Sequence, residues 1–317
     1  MLLLCYGTRP EWIKIKPIIE ELKRNSLEFK VAFTGQQKDI GRFYSDYELL
    51  MTNNKFNRLD SIFSQIFIEC NKKNIFKDIN FVLVQGDTAT ATAISIAAFH
   101  RKIKLFHLEA GLRTFDKDNP YPEEVYRNII GKIADYHLCP TQSSVKNLKD
   151  EKTQGEMHLI GNTVLDNLNE IKTNYADKVL ITMHRRENIE IIEKWFSEIE
   201  SLTTRYPGIE FLLPIHPNPN ILKHKSIFKN VKVVSAMNHK ELIKYLSQCK
   251  VVITDSGGIQ EESSFLKKRC IVCRKETERI EGLSSEGHAI LCKKPDLLKL
   301  IKVTSRLTAM EKVLKSL

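Results

Sequence analysis

A chain of 317 residues, 42% of them apolar and free of low-complexity tracts, exceeds a single core and excludes a disordered polymer, so length favours two domains. Lysine and arginine (49) exceed aspartate and glutamate (39) by 10, but the basic residues are spread along the chain without an arginine-rich tract, which argues for solvated faces and against a nucleic-acid partner. The longest apolar stretch, around Ala89 to Phe99, is too short to span a bilayer, so no membrane insertion is expected.

Short β-branched or apolar runs alternate with longer amphipathic segments, the pattern of βαβ units and parallel sheets. The strand M-L-L-L-C-Y-G begins at Met1 without a basic leader, and a secretory signal is not expected. The first half predicts strands near 1–6, 29–34, 80–85, 103–108, 135–139 and 156–160. Helices are predicted near 10–24, 36–50, 58–76, 88–101, 122–133 and 141–150, with another near 163–174. The pattern then restarts, with strands near 178–183, 209–215, 231–235, 250–254, 269–273 and 289–292 and helices near 189–205, 238–248, 258–267 and 295–316. The fold class is therefore α/β, with two Rossmann-like domains over 1–165 and 166–317.

Seven cysteines, an odd number mostly embedded in apolar strand-like runs, read as buried thiols of a cytoplasmic protein. Cys270 and Cys273 form C-I-V-C, but no second Cys or His pair stands at zinc-site spacing, so a buried strand is expected and no metal.

The chemistry concentrates at strand ends. Asp87 and Glu109 each close a short apolar run, V-L-V-Q and K-L-F-H-L, and Glu123 and Glu124 follow in P-Y-P-E-E. Carboxylates gathered at neighbouring strand ends suit acid/base work, because repulsion and partial desolvation separate their pKa values. A helix N-terminus after Pro122 accounts for Glu123 and Glu124 in a blander way, and Arg127 lies one turn on. Gly7-Thr8-Arg9-Pro10-Glu11 after the first strand and Asp255-Ser256-Gly257-Gly258 after V-V-I-T are both strand–turn–helix junctions. Such junctions bind anions, since free N–H groups and the helix dipole face the ligand. Neither fits the dinucleotide or ATP fingerprint, so neither a nicotinamide cofactor nor ATP is expected. His184, Arg185 and Arg186 follow one strand and His216 the next, while Arg9 and Lys14 offer cations from the first domain.

Taken in order, G-T-R-P-E-x-I-K, T-G-Q, G-D-T, H-L-E-A-G-L-R-T, P-x-P-E-E-x-x-R, G-N-T-V-x-D, H-R-R-E-N, H-x-N-P-N, T-D-S-G-G-I-Q-E-E and T-E-R cover residues 1 to about 283. This series resembles the non-hydrolysing UDP-N-acetylglucosamine 2-epimerases. The resemblance implies a GT-B-type fold with a nucleotide sugar in the interdomain cleft, a homodimer formed through the first domain, and no metal or redox cofactor. It also implies inversion at C2 by elimination of UDP to a 2-acetamidoglucal and re-addition, a sugar supply for surface polysaccharide. By motif position, catalysis falls on Asp87, Glu109, Glu123 and His184. UDP contacts fall on Arg9, Lys14, His216, Ser256, Gly257, Gly258 and Glu262, with Arg113 supporting them from behind.

The sequence departs from the family in three places. Gln36-Gln37 replaces the usual Gln-His, so substrate activation at a second site is not expected; the loop at 55–61 is shortened; and Ile280 stands for the usual Pro, with the closing Asn-Pro-Tyr-Gly-Asp-Gly stretch missing. Three other outcomes remain open on the residues: a 2-epimerase of a related UDP-2-acetamido or UDP-2,3-diacetamido sugar, a hydrolysing 2-epimerase releasing ManNAc and UDP, and an inactive UDP-sugar-binding protein.

Overall fold

The computed structural model describes residues 1–37, 43–49, 51–52, 57–168, 171–277, 283 and 288–297. Two compact units divide the chain, Met1–Asn167 and Leu168–Leu317. In the first, β1 (Leu2–Tyr6), α1 (Arg9–Arg24), β2 (Phe29–Phe33), β3 (Tyr47–Glu48), α2 (Arg58–Lys72) and β4 (Phe81–Gln85) come first. They are followed by α3 (Ala89–Phe99), β5 (Lys104–Leu108), α4 (Glu123–Ile133), β6 (Tyr136–Cys139), α5 (Gln142–Asp150) and β7 (Glu156–Leu159). All strands pair in parallel, in the order β3-β2-β1-β4-β5-β6-β7.

Strand alternation accounts for the two apolar layers of this unit. Leu3 and Cys5 point to one side of the sheet, with Ile62 and Ile66 of α2 and the small residues of α3, while Leu4 and Tyr6 point to the other, with Trp12, Ile15 and Ile19 of α1. The run A-T-A-T-A-I-S-I-A-A-F makes α3 almost entirely buried, and Thr88 caps it by accepting from the Ala91 N–H.

The second unit repeats the plan with β8 (Ala176–Thr182), α6 (Arg186–Ile189), α7 (Ile192–Arg205), β9 (Glu210–Pro214), α8 (Pro219–Leu222) and β10 (Lys232–Val234). Then come α9 (His239–Leu246), β11 (Cys249–Thr254), α10 (Gly257–Phe265), β12 (Arg269–Val272) and β13 (Ala289–Leu291). The strand order is β10-β9-β8-β11-β12-β13, again parallel. In each unit the order reverses between two central strands, β1 and β4 in the first and β8 and β11 in the second. Open α/β sheets bind ligands at the carboxyl ends of the strands flanking such a reversal.

Several predicted elements differ. Residues 43–49 of the predicted helix 36–50 instead contain β3, because Asp46 exchanges bonds with Val31 (its Oδ2 accepts from the Val31 N–H at 2.7 Å) and Leu49 donates to Phe33 O at 2.8 Å. The open edge of β2 thus captured the segment. The predicted helix 163–174 is a 3-10 turn, Thr163–Leu168, and residues 171–175 are not helical. The predicted helix 189–205 starts earlier and is broken at Glu190–Ile191, where the Asn188 side chain turns inward to donate to Cys273 O at 2.9 Å. Helix 295–316 lies almost wholly outside the described residues, as do Glu278, Arg279 and Ile280 and part of the loop at 55–61.

Gly111 offers a sharp test of packing. Its φ is +83°, and a Cβ there would stand 2.2 Å from Ser144 O in the first turn of α5. Gly111→Ala is expected to destabilise the first unit by about 2 kcal/mol or more, from left-handed backbone cost and displacement of α5. A thermal midpoint equal to wild type would show that the turn rearranges freely.

Candidate functional site

The first unit's groups cluster where β1, β4 and β5 end. Gly86, with φ +70°, turns the chain after β4 and presents Asp87. The Asp87 Oδ2 accepts from Arg127 of α4, Nε at 2.8 Å and Nη2 at 2.6 Å, and Arg127 Nη1 donates to Glu124 at 2.9 Å. Burial opposes the charge on Arg127, but the Asp87 and Glu124 carboxylates outweigh it and raise the guanidinium above its ordinary value. Glu109 also sits in a left-handed turn, φ +67°. Its carboxylate, 9% exposed, accepts from Lys14 Nζ at 2.5 Å, and Gln85 Nε2 donates to its other oxygen. That oxygen lies 3.7 Å from where a Gly86 Cβ would stand, so Glu109 packs against the residue preceding Asp87.

Glu123 and Glu124 diverge. Glu124, buried, also accepts the Thr114 N–H at 3.1 Å and the Phe115 N–H at 3.0 Å, shaping the loop ahead of α4. Glu123 is half-buried beside Tyr126, whose phenol is raised mainly by burial, with Tyr121 and Glu123 adding to it. Arg113 makes a bidentate pair with Glu151, at 2.7 and 2.9 Å, and so braces α5. Arg9 opens α1, and its N–H donates to Gln37 Oε1 at 3.2 Å.

His107, the register partner of His137 on β6, is buried and bonds Gly86 O through Nε2 at 2.9 Å. The carbonyl only accepts, so Nε2 carries the proton. Burial pushes this imidazole down to about 3, with His137 and Arg113 also opposing its charge. A folded pKa below the unfolded one gives stability that is complete above about 6.5 and lost as pH falls toward about 3. His107→Gln is expected to flatten this acid limb of a pH-dependent unfolding series, and an unaltered limb would assign it to other groups.

In the second unit, Asp255 is the hub. Fully buried after β11, it accepts from the His184 N–H at 3.0 Å, the Arg185 N–H at 2.9 Å and Asn188 Nδ2 at 3.1 Å. These bonds hold the H-R-R-E-N turn across the reversal between β8 and β11. The His184 ring stacks on His216, centroids 5.6 Å apart at 21°, with Nδ1 3.7 Å from Asp255. Burial lowers both imidazoles; Asp255 opposes this, and His216 and Arg185 add to it at His184. Ser256 is the N-cap of α10 without a side-chain cap bond, and Gly257 and Gly258 open the helix. Among the described residues a Cβ on Gly258 would meet only Ser256 Oγ, at 4.0 Å, so as far as these residues go the first turn has room for an anion at its N–H groups. Further along α10, Glu262 Oε1 bonds His239 Nε2 at 2.7 Å, while Oε2 is buried and has no hydrogen-bond partner among the described residues.

The structure thus joins Lys14 with Glu109, and His184 with His216 beside the Ser256–Gly258 turn. It ties Asp87 to Arg127 and Glu124, and Arg113 to Glu151. Asp255, Arg127, Gln85 and Glu11 were not among the predicted site residues. Asp255 carried the same signal as Asp87 and Glu109, an acidic residue closing an apolar run.

The sequence profile of the UDP-N-acetylglucosamine 2-epimerase family matches residues 20–316. The chain belongs to this family. It is 36% identical over 324 residues to the UDP-N-acetylglucosamine 2-epimerase of Campylobacter jejuni, covering 90% of this chain and 84% of that one. Among solved structures, the Neisseria meningitidis UDP-GlcNAc 2-epimerase bound to UDP-GlcNAc superposes with a TM-score of 0.83 at 31% identity, covering 98% of this chain and 93% of that chain. Staphylococcus aureus MnaA with UDP gives 0.86 at 29% identity, covering 98% and 89%. The two parallel α/β units are accordingly of the GT-B type. Among the described residues no helix is long and apolar enough to cross a membrane. All seven cysteines are buried free thiols, including Cys270 in β12, which burial pushes up to about 12, and Cys273 just after it.

Proposed function

We propose that this protein is a non-hydrolysing epimerase that inverts C2 of UDP-GlcNAc. The carrying observation is the pair of carboxylates at adjacent strand ends, Asp87 held by Arg127 and Glu109 held by Lys14. A carboxylate takes the C2 proton, the C2–H electrons form the C1=C2 bond, and the C1–O bond breaks with its electrons leaving on UDP. The reverse addition, with the proton delivered to the opposite face, yields UDP-ManNAc. Two carboxyl groups in unlike environments suit such a two-face transfer. Asp87, Glu109 and Glu123 carry the acid/base work, with His184 assisting departure of the diphosphate. Arg9, Lys14, His216 and the Ser256–Gly258 turn take the phosphates, Arg113 braces the fold behind them, and the second carboxylate oxygen of Glu262, without a partner among the described residues, suits a ribose hydroxyl.

Support also comes from the relatives, which carry the epimerase name, and from the Neisseria structure, which holds UDP-GlcNAc. Hydrolysing relatives depart from the H-L-E-A-G-L-R-T and P-x-P-E-E strings that are intact here. Buried free thiols are consistent with a cytoplasmic role in supplying sugar for surface polysaccharide. A homodimer through the first unit fits the apolar side chains that α2, α3 and α4 leave exposed, Ile68, Phe99, Val125 and Ile129. Sedimentation equilibrium of wild type and Ile129→Asp tests it, and a monomeric wild type would refute it.

The deciding experiment incubates the protein with UDP-GlcNAc in deuterated water and follows C2 by NMR. Deuterium at C2 with a UDP-ManNAc signal is expected. Free ManNAc with UDP would make it a hydrolase, and binding without exchange would make it an inactive sugar-nucleotide binder.

A further inference from the structure

Glu11 stands one turn into α1, where an acidic residue ordinarily serves its own helix end. Its Oε2 does so, accepting from the Gly7 N–H at 3.0 Å and Thr8 Oγ1 at 2.7 Å. The other oxygen reaches sideways and accepts from Thr88 Oγ1 at 2.7 Å. Thr88 directly follows Asp87 and starts α3. The carboxylate, 1% exposed, therefore bridges the turns after β1 and β4, the two strands between which the sheet order reverses. The second unit has a counterpart in Asp255, whose carboxylate bridges the turns after β8 and β11 in the same topological place. One buried carboxylate per unit thus spans each reversal.

A helix cap does not require the Thr88 bond, and the bridge is costly. Burial pushes the Glu11 carboxyl up to about 7, against the opposing pull of the Thr8 and Thr88 hydroxyls and the Gly7 and Thr8 N–H groups. The turns it joins are tightly fitted, since a Cβ on Gly7 would stand 2.1 Å from Thr90 Oγ1 and 2.4 Å from Thr34 Oγ1.

We propose that Glu11 is a positioning residue of the reaction, its carboxylate fixing the turn that carries Asp87 against the turn and helix that carry Arg9 and Lys14. This rests on the assignment of Asp87 to proton transfer. A glutamine in its place keeps one acceptor oxygen for the Gly7 N–H and the Thr8 hydroxyl but faces the Thr88 hydroxyl with an N–H₂, so the charge-assisted bond from Thr88 to the carboxylate is lost while the helix remains.

The test compares Glu11→Gln, Thr88→Val and Thr88→Ser, the last keeping both the hydroxyl and the cap, with all kinetics run well below the thermal midpoints. Glu11→Gln and Thr88→Val are each expected to lower kcat by about 30-fold with KM for UDP-GlcNAc changed by less than about three-fold, since a displaced catalytic group costs turnover more than binding. The double variant is expected to match the worse single variant, and Thr88→Ser to stay within about two-fold of wild type, as for partners in one bond. Amide hydrogen exchange over residues 84–92, read by mass spectrometry, is expected to quicken about ten-fold in Glu11→Gln and Thr88→Val only. Additive losses, or wild-type kcat in Glu11→Gln, would overturn the proposal. If wild type fails to epimerise any UDP-sugar, the assignment of Asp87 falls separately. Unchanged exchange in Glu11→Gln then still overturns the bridge.

Discussion

Asp87→Asn is expected to lower C2 exchange and epimerisation by about 10³-fold while leaving UDP affinity within about three-fold, the range that a general acid/base supplies. The amide still offers an oxygen to Arg127, so the geometry of the turn should persist, but it can neither take nor hold a proton at neutral pH. Exchange at C2 measured by NMR, alongside calorimetric UDP titration, separates chemistry from binding. Glu109→Gln is expected to behave alike, with Lys14 losing its buried partner. Normal turnover in both variants would remove the carboxylates from the mechanism.

Arg127→Leu is expected to have the larger effect on stability. Its guanidinium serves Asp87 and Glu124 together, and Glu124 is only 2% exposed, so the substitution strands a buried carboxylate. Breaking such a pair costs about 3–5 kcal/mol, which for a unit of this size lowers the thermal midpoint by roughly 10 °C. Adding Glu124→Gln should recover part of the stability by removing the stranded charge, without recovering activity, because Asp87 still lacks its partner. Arg127→Lys keeps the charge but not the fork, and is expected to retain more stability than activity. A midpoint within a degree or two of wild type for Arg127→Leu would mean that Glu124 reaches water.

The alternation of apolar runs with amphipathic segments was legible because strands of a parallel sheet are buried on both faces and announce themselves without context. The misread segments were those where local pattern met a stronger distant partner. Residues 43–49 looked helical, yet the open edge of β2 took them as β3. The helix predicted from residue 189 begins instead at Arg186 and is interrupted at Glu190–Ile191, next to Asn188, whose amide donates to Cys273 O, 85 residues away.

The sequence by itself determined that acidic groups close two apolar runs, that glycine turns open helices after strands, and that the ordered motifs are those of one epimerase family. These are properties of short windows, and residue type with spacing carries them. Only the tertiary structure decided which charge answers which. Lys14 meets Glu109 across 95 residues, and Thr88 meets Glu11 across 77. Between adjacent glutamates of α4, helix orientation sends Glu124 to Arg127 and leaves Glu123 beside Tyr126. The physical reason is that a buried charge is tolerated only where distant backbone brings it donors, and strand order, which no window contains, sets those distances.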